Sequence, residues 1–103
     1  MGRVAMFKDQ VVWITGASSG IGEALTLQFA NEGARLVLSA RRQDELERVR
    51  GICLATGLDA ENVLVVPLDV SDHAEMPAAV EYVLDAFGII DLLINNSVIS
   101  LRS

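Results

Sequence analysis

Thr15-Gly16-Ala17-Ser18-Ser19-Gly20-Ile21-Gly22 places three glycines in a G-x-x-x-G-x-G spacing directly after an apolar run. Chemistry compatible with this pattern is the binding of a phosphorylated ligand by backbone. Gly16 lets the chain turn where a Cβ would clash, and Gly20 leaves room for a pyrophosphate to approach the main chain. Gly22 allows a following helix to pack close to the preceding strand. The N-terminus of that helix offers unpaired N–H groups and a partial positive charge, to which Ser18 and Ser19 can add hydroxyl donors. A glycine-rich turn without a ligand is the competing reading. A strand before the glycines and a helix after them favour the phosphate cradle.

A dinucleotide held in this way must have its adenosine ribose met about 20 residues further on. An acid there suits the 2′-hydroxyl of NAD, whereas an Arg suits the 2′-phosphate of NADP. The sequence reads Ser39-Ala40-Arg41-Arg42, with no acid before Asp44. Two guanidiniums match a phosphate better than a neutral hydroxyl, so NADP is expected over NAD. A solvated basic pair at a helix start is the alternative, and cations sit poorly there without an anion. Further on, Asp69 and Val70 follow Pro67-Leu68 at the end of another apolar run. The Asp69 carboxylate could accept from an adenine amino group with Val70 flanking the ring, or it could bond only to local backbone. Both readings stand.

The elements that must position these residues are legible as hydrophobic runs. Val11–Thr15, Arg35–Ala40, Asn62–Val66 and Ile89–Asn95 are continuously apolar rather than alternating, as strands buried on both faces are. Between them lie three helical patterns. The first spans Gly20 to Glu32, with Ile21, Ala24, Leu25 and Phe29 on one face and Gly33 as a stop. The second spans Asp44 to Ala55 and buries Leu46, Val49 and Cys53. The third carries a stripe of Val80, Val83, Leu84 and Phe87 and starts between His73 and Pro77, because an Asp72/Glu75 capping box and Pro77 each mark a start. Strand–helix–strand alternation gives an α/β class with a parallel sheet.

Bulk properties narrow the function classes. With 103 residues the chain is one domain or part of one, and 51% hydrophobic content opposes disorder. A net charge of -6 argues against nucleic acid or an anionic membrane as partner. The single Cys53 leaves no internal disulfide and no cysteine-rich metal site, so no metal is expected. Met1–Gln10 has no signal-peptide run, and no stretch approaches the ~20 apolar residues of a membrane span. The expectation is a soluble, cytoplasmic chain.

Together these segments resemble the short-chain dehydrogenase/reductase family. Thr15–Gly22 matches its TGxxxGIG cofactor motif, Leu68-Asp69-Val70 its adenine-binding segment, and Phe87–Asn96 the stretch leading into its NNAG motif. The run from Val37 to Val49 is similar to the hydroxysteroid dehydrogenase-like, NADP-preferring subgroup. The resemblance implies dinucleotide binding through Gly16, Ser18, Ser19, Gly20, Ile21, Gly22, Arg41, Arg42, Asp69, Val70, Asn95 and Asn96. It also implies hydride transfer between NADP(H) and an alcohol or carbonyl in a complete parent. Several similar reductases carry an N-terminal membrane anchor, which leaves a membrane-associated location open for such a parent.

Two departures stand out. NNAG appears as Asn95-Asn96-Ser97-Val98, and valine resists backbone angles that glycine accepts. The family's catalytic Tyr-x-x-x-Lys is absent: the one tyrosine, Tyr82, precedes Ala86 by four residues, and the one lysine is Lys8. No catalytic residue is therefore assigned. Right-handed crossovers give the strand order 3-2-1-4, a partial Rossmann fold in which two helices cover one face and the third part of the other. The expectation is a truncated NAD(P)-binding Rossmann domain over residues 1–103, inactive alone and prone to self-association through exposed sheet surface. A non-enzymatic nucleotide-binding or complementing subunit is the alternative.

Overall fold

The computed structural model describes residues 7–69 and 71–96. Its elements run β1 (Val11–Thr15), α1 (Gly20–Asn31), β2 (Arg35–Ser39), α2 (Gln43–Ala55), β3 (Val63–Val65), α3 (Met76–Phe87) and β4 (Leu92–Asn95). Short 3-10 turns at Ala60–Asn62 and His73–Glu75 precede β3 and α3. The four strands form one parallel sheet in the order β3-β2-β1-β4, as the crossover rule requires.

Continuous apolar sequence in β1 and β2 serves both faces of the sheet. Val12, Ile14, Leu36 and Leu38 enter a core with Phe29 and Ala30 of α1 and Leu46, Val49 and Cys53 of α2. Val11, Trp13 and Val37 enter a second core with Val66, Leu68 and, from α3, Ala79 and Val83. Each fully buried aliphatic side chain contributes about 1.5–3 kcal/mol, so the two centre strands carry much of the stability. β4 differs, because its residues are only half-buried or exposed in alternation and Leu93 keeps 46% of its surface.

Strand ends are shorter than the apolar runs for identifiable reasons. Asp91 precedes β4 and pairs with Val11 twice, through its backbone N–H to the Val11 carbonyl (3.0 Å) and through Oδ2 to the Val11 N–H (2.8 Å). Beyond β3, the N–H groups of Val66 and Leu68 still donate to Leu38 and Ala40, at 2.9 Å each. Pro67 lies between these two donors, so its missing N–H falls on the free edge of β3 and costs the sheet nothing.

Two helix faces differ from the expected ones. The buried face of α1 is Gly22, Thr26, Phe29 and Ala30, whereas Ile21 is 66% exposed and Ala24 is also exposed. The inward face is turned by one position because Gly22 makes the closest approach to the strand-end backbone. Thr26 is tolerated inside because its hydroxyl donates to the Gly22 carbonyl (2.8 Å). On α3 the buried residues are Ala79 and Val83, Val80 and Phe87 are half-buried, and Leu84 is exposed. Asp72 caps the 3-10 turn through the Ala74 N–H (3.1 Å), but Glu75 turns away from it to accept from the Asp69 N–H (3.2 Å). The capping box is therefore half formed. Among the described residues, no helix is long and apolar enough to cross a membrane.

Candidate functional site

The carboxyl ends of β1 and β2, with the chain that continues β3, bound a cavity of ≈ 470 Å³. It is lined by Gly16, Ser18, Ala40, Arg41, Arg42, Leu68, Asp69 and Ser71. Three segments far apart in sequence thus meet where an open parallel sheet characteristically receives its ligand. Gly16 has φ 66°, a left-handed conformation that glycine adopts freely. The Ala17 N–H donates to the Ser39 carbonyl (3.1 Å), which ties the glycine loop to the end of β2. A buried bond from Trp13 Nε1 to Ser39 Oγ (2.8 Å) supports the same residue from below.

The other glycines have different surroundings. A Cβ on Gly22 would overlap the Gly16 carbonyl oxygen, so any side chain there would force α1 away from β1. A Cβ on Gly20 would meet nothing within 4 Å, so no protein packing demands this glycine. Ser19 is the N-cap of α1 but makes no side-chain cap bond. Its hydroxyl donates to the Gly16 carbonyl (2.9 Å) and accepts from Asn96 Nδ2 (3.0 Å). Among the described residues no side-chain cap bond closes the first turn of α1, which leaves that end of the dipole available to an anion.

The cavity wall takes in Gly16, Ser18, Arg41, Arg42 and Asp69, but not Ser19, Gly20, Ile21, Gly22, Asn95 or Asn96. Of these, Ser19 and Gly22 lie against Asn96 at the end of β4. There Asn96 Nδ2 reaches the Gly16 carbonyl (3.2 Å) and Thr15 Oγ1 donates to Asn95 Oδ1 (2.8 Å). Val70, Ser97 and Val98 lie outside the described residues.

Electrostatics separates residues that look alike in sequence. Arg41 makes no hydrogen bond or ion pair among the described residues. Arg42 is gripped by Asp44, with Nη2 to Oδ2 at 2.8 Å and Nε to Oδ1 at 3.3 Å. That contact raises the guanidinium pKa and lowers that of the carboxyl. Asp69 Oδ1 accepts from the Ser71 N–H (3.0 Å) and hydroxyl (2.6 Å), so its local bonding is realised even though it lines the cavity. The Ser71 bonds, with help from the nearby Arg41 charge, hold its carboxyl below the usual range.

Sequence reasoning missed Arg48, which binds Glu23 of α1 (3.0 Å) and Glu45 (3.1 Å) and so ties the two helices beside the cavity. Only the Glu45 pair had an i,i+3 signal in the sequence. Tyr82 and His73 are exposed, and Cys53 is buried. No group of three or more His, Cys, Asp or Glu among the described residues could hold a metal ion.

Comparison with known proteins assigns this architecture. The short chain dehydrogenase profile matches residues 10–102. Dehydrogenase/reductase SDR family member 7 of Mus musculus is 54% identical over 96 residues, which cover 92% of this chain and 28% of the mouse protein. The chain thus spans under a third of that relative's length. Among solved structures, the C-domain of a bacterial malonyl-CoA reductase with NADP superposes with TM-score 0.83 at 33% identity, covering 90% of this chain and 15% of that one. A short chain dehydrogenase/reductase from Burkholderia phymatum in complex with NAD gives TM-score 0.76 at 37% identity, covering 84% and 30%. With its glycine loop, strand order and family profile in agreement, the chain belongs to the short-chain dehydrogenase/reductase family, whose Rossmann fold binds nicotinamide dinucleotides.

Proposed function

We propose that this chain forms the NADP(H)-binding portion of an oxidoreductase that interconverts an alcohol and a carbonyl. The observation that carries the preference for NADP is Arg41, a guanidinium in the cavity wall with no protein partner among the described residues. A guanidinium with no hydrogen bond or ion pair beside a ribose site suits a 2′-phosphate, and a 2′-hydroxyl would leave it unmatched. The cavity fits a dinucleotide's adenosine end in size, and the uncapped α1 terminus with the vacant Cβ position of Gly20 fits its pyrophosphate. Gly16, Ser18, Gly20, Arg41 and Asp69 would hold the adenosine and phosphates. Ile21, Asn95 and Asn96 would form the nicotinamide-side crest, with Ser19 and Gly22 shaping the loop. When bound, the cofactor supplies or accepts a hydride at its nicotinamide ring. The protein's own part here is to orient it.

Solved relatives are described with NADP and with NAD, so family membership is compatible with either. Parallel calorimetric titrations decide. NADP is expected to bind tighter than NAD, and Arg41→Ala is expected to lower NADP affinity by roughly 10–100-fold while sparing NAD. Equal affinities, or an Arg41→Ala variant that keeps its NADP affinity, would remove the reading. With no Tyr-x-x-x-Lys among these 103 residues, the chain alone is expected to bind without turnover. A second reading, a subunit that complements a fuller relative or itself, is favoured by the exposed Leu93, Leu84, Tyr82 and Ile89 on β4, on α3 and in the turn between them.

A further inference from the structure

We infer that Asp44 is a specificity-determining residue: its carboxylate occupies Arg42 as an internal substitute for a phosphate and thereby narrows the preference for NADP over NAD. The inference rests on the dinucleotide reading above and concerns how the same rim is tuned. Arg41 and Arg42 are adjacent and both line the cavity, yet only Arg42 is paired, by a two-point contact to Asp44. Two parallel N–H donors on two oxygens is also the geometry with which a guanidinium grips a phosphate. A phosphate arriving at Arg42 therefore needs N–H groups that Asp44 already holds.

Local structure keeps the substitute in place. Arg42 is the N-cap of α2 in an extended conformation (φ -100°, ψ 112°), and Asp44 lies in the first turn, where the helix dipole favours a carboxylate. Glu45 adds to the negative field on Arg42, but its carboxylate is bonded to Arg48 Nε at 3.1 Å. Asp44 is thus the carboxylate that competes for the Arg42 fork. A 2′-phosphate entering the rim meets one available cation, Arg41, and one cation, Arg42, already neutralised by Asp44. The uncharged 2′-hydroxyl of NAD is nearly indifferent to that balance. The pair is open to water, with side chains 72% and 66% exposed, so it exchanges and tempers binding without blocking it.

The test is calorimetric titration of the full chain and of Asp44→Asn, Arg42→Ala and the double variant, each with NADP and NAD. Asp44→Asn is expected to tighten NADP binding about 3–10-fold, to change NAD binding less than about 2-fold, and to lose its effect in the Arg42→Ala background. Asp44→Ser serves as a second neutral substitution, and far-UV circular dichroism verifies folding. Unchanged or weaker NADP binding by folded Asp44→Asn, with the parent chain still preferring NADP, overturns the role of Asp44 alone. Weaker NAD binding by that variant assigns Asp44 to the ribose hydroxyl instead and also overturns it. If no folded variant binds either dinucleotide, the underlying cofactor reading falls and the inference falls with it.

Discussion

Val11 and Val12 are neighbours on β1 and both are fully buried, yet they belong to differently closed regions. Val12 faces α1 and α2, where side chains from two helices and three strands seal the core and Leu92 and Ile94 of β4 are drawn in at its margin. Val11 faces α3, whose buried surface is Ala79 and Val83, with Leu93 of β4 left nearly half exposed. Burial at the sheet centre is therefore the same on both faces, and the faces part company only at the β4 edge. Closure depends on how many helices span the sheet, not on how apolar its strands are.

The largest effect should come from the doubly covered face. Leu38→Ala is expected to lower unfolding free energy by about 2–5 kcal/mol in urea titrations, since the two helices packed over this face cannot collapse fully into the space left behind. A cost below that of an exposed substitution would mean that this face is loosely packed and would end the contrast.

An intermediate effect distinguishes the faces by pH. Cys53, in the doubly covered core, has its thiol pushed up from 9.0 to about 11, mainly by burial and secondarily by the charge of Glu23. A pKa raised on folding means that the fold favours the neutral thiol. The stabilisation is full below pH 9 and is lost as pH rises towards about 11. Stability should fall through that window by on the order of 1–2 kcal/mol. Cys53→Ala should start lower and fall less steeply. The described residues that build the α3-side core are all non-titratable, so an equal alkaline loss in Cys53→Ala would place its origin outside those two clusters.

The smallest change in stability belongs to the open edge. Leu93→Ser should alter unfolding free energy by no more than about 0.5 kcal/mol. Its expected effect is on association, with a smaller particle in sedimentation velocity at equal concentration. A large destabilisation would show that Leu93 packs more tightly than its exposure implies. An unchanged sedimentation profile in an associating chain would move the contact elsewhere.

Much of this is legible in the amino-acid sequence alone. The strand order follows from four apolar runs and crossover handedness, and the α2 face from Leu46, Val49 and Cys53. The α1 face was not, because the pattern of large apolar side chains pointed to Ile21 while the inward position belongs to Gly22, which has no side chain to register as hydrophobic. Within the site, Gly16, Arg41 and Asp69 were identifiable from type and spacing, and they share one cavity. The inequality of Arg41 and Arg42 was invisible, since it depends on the backbone turning Asp44 onto one guanidinium. The tie from Arg48 to Glu23 joins residues 25 apart, which no local rule reports.

The buried bond from Trp13 to Ser39 gives the molecule an optical handle. Trp13 is the only tryptophan, its indole is sealed from water, and its hydrogen-bond acceptor is the residue whose carbonyl anchors the glycine loop at Ala17. Emission from this indole should be blue-shifted in the native protein and should move to the red as the two-stranded centre of the sheet comes apart. A loop that shifts while the strands stay paired would perturb Ser39 before it exposes Trp13. Intensity and wavelength should then respond at different points of a titration, so that one fluorophore distinguishes rearrangement of the ligand rim from loss of the fold.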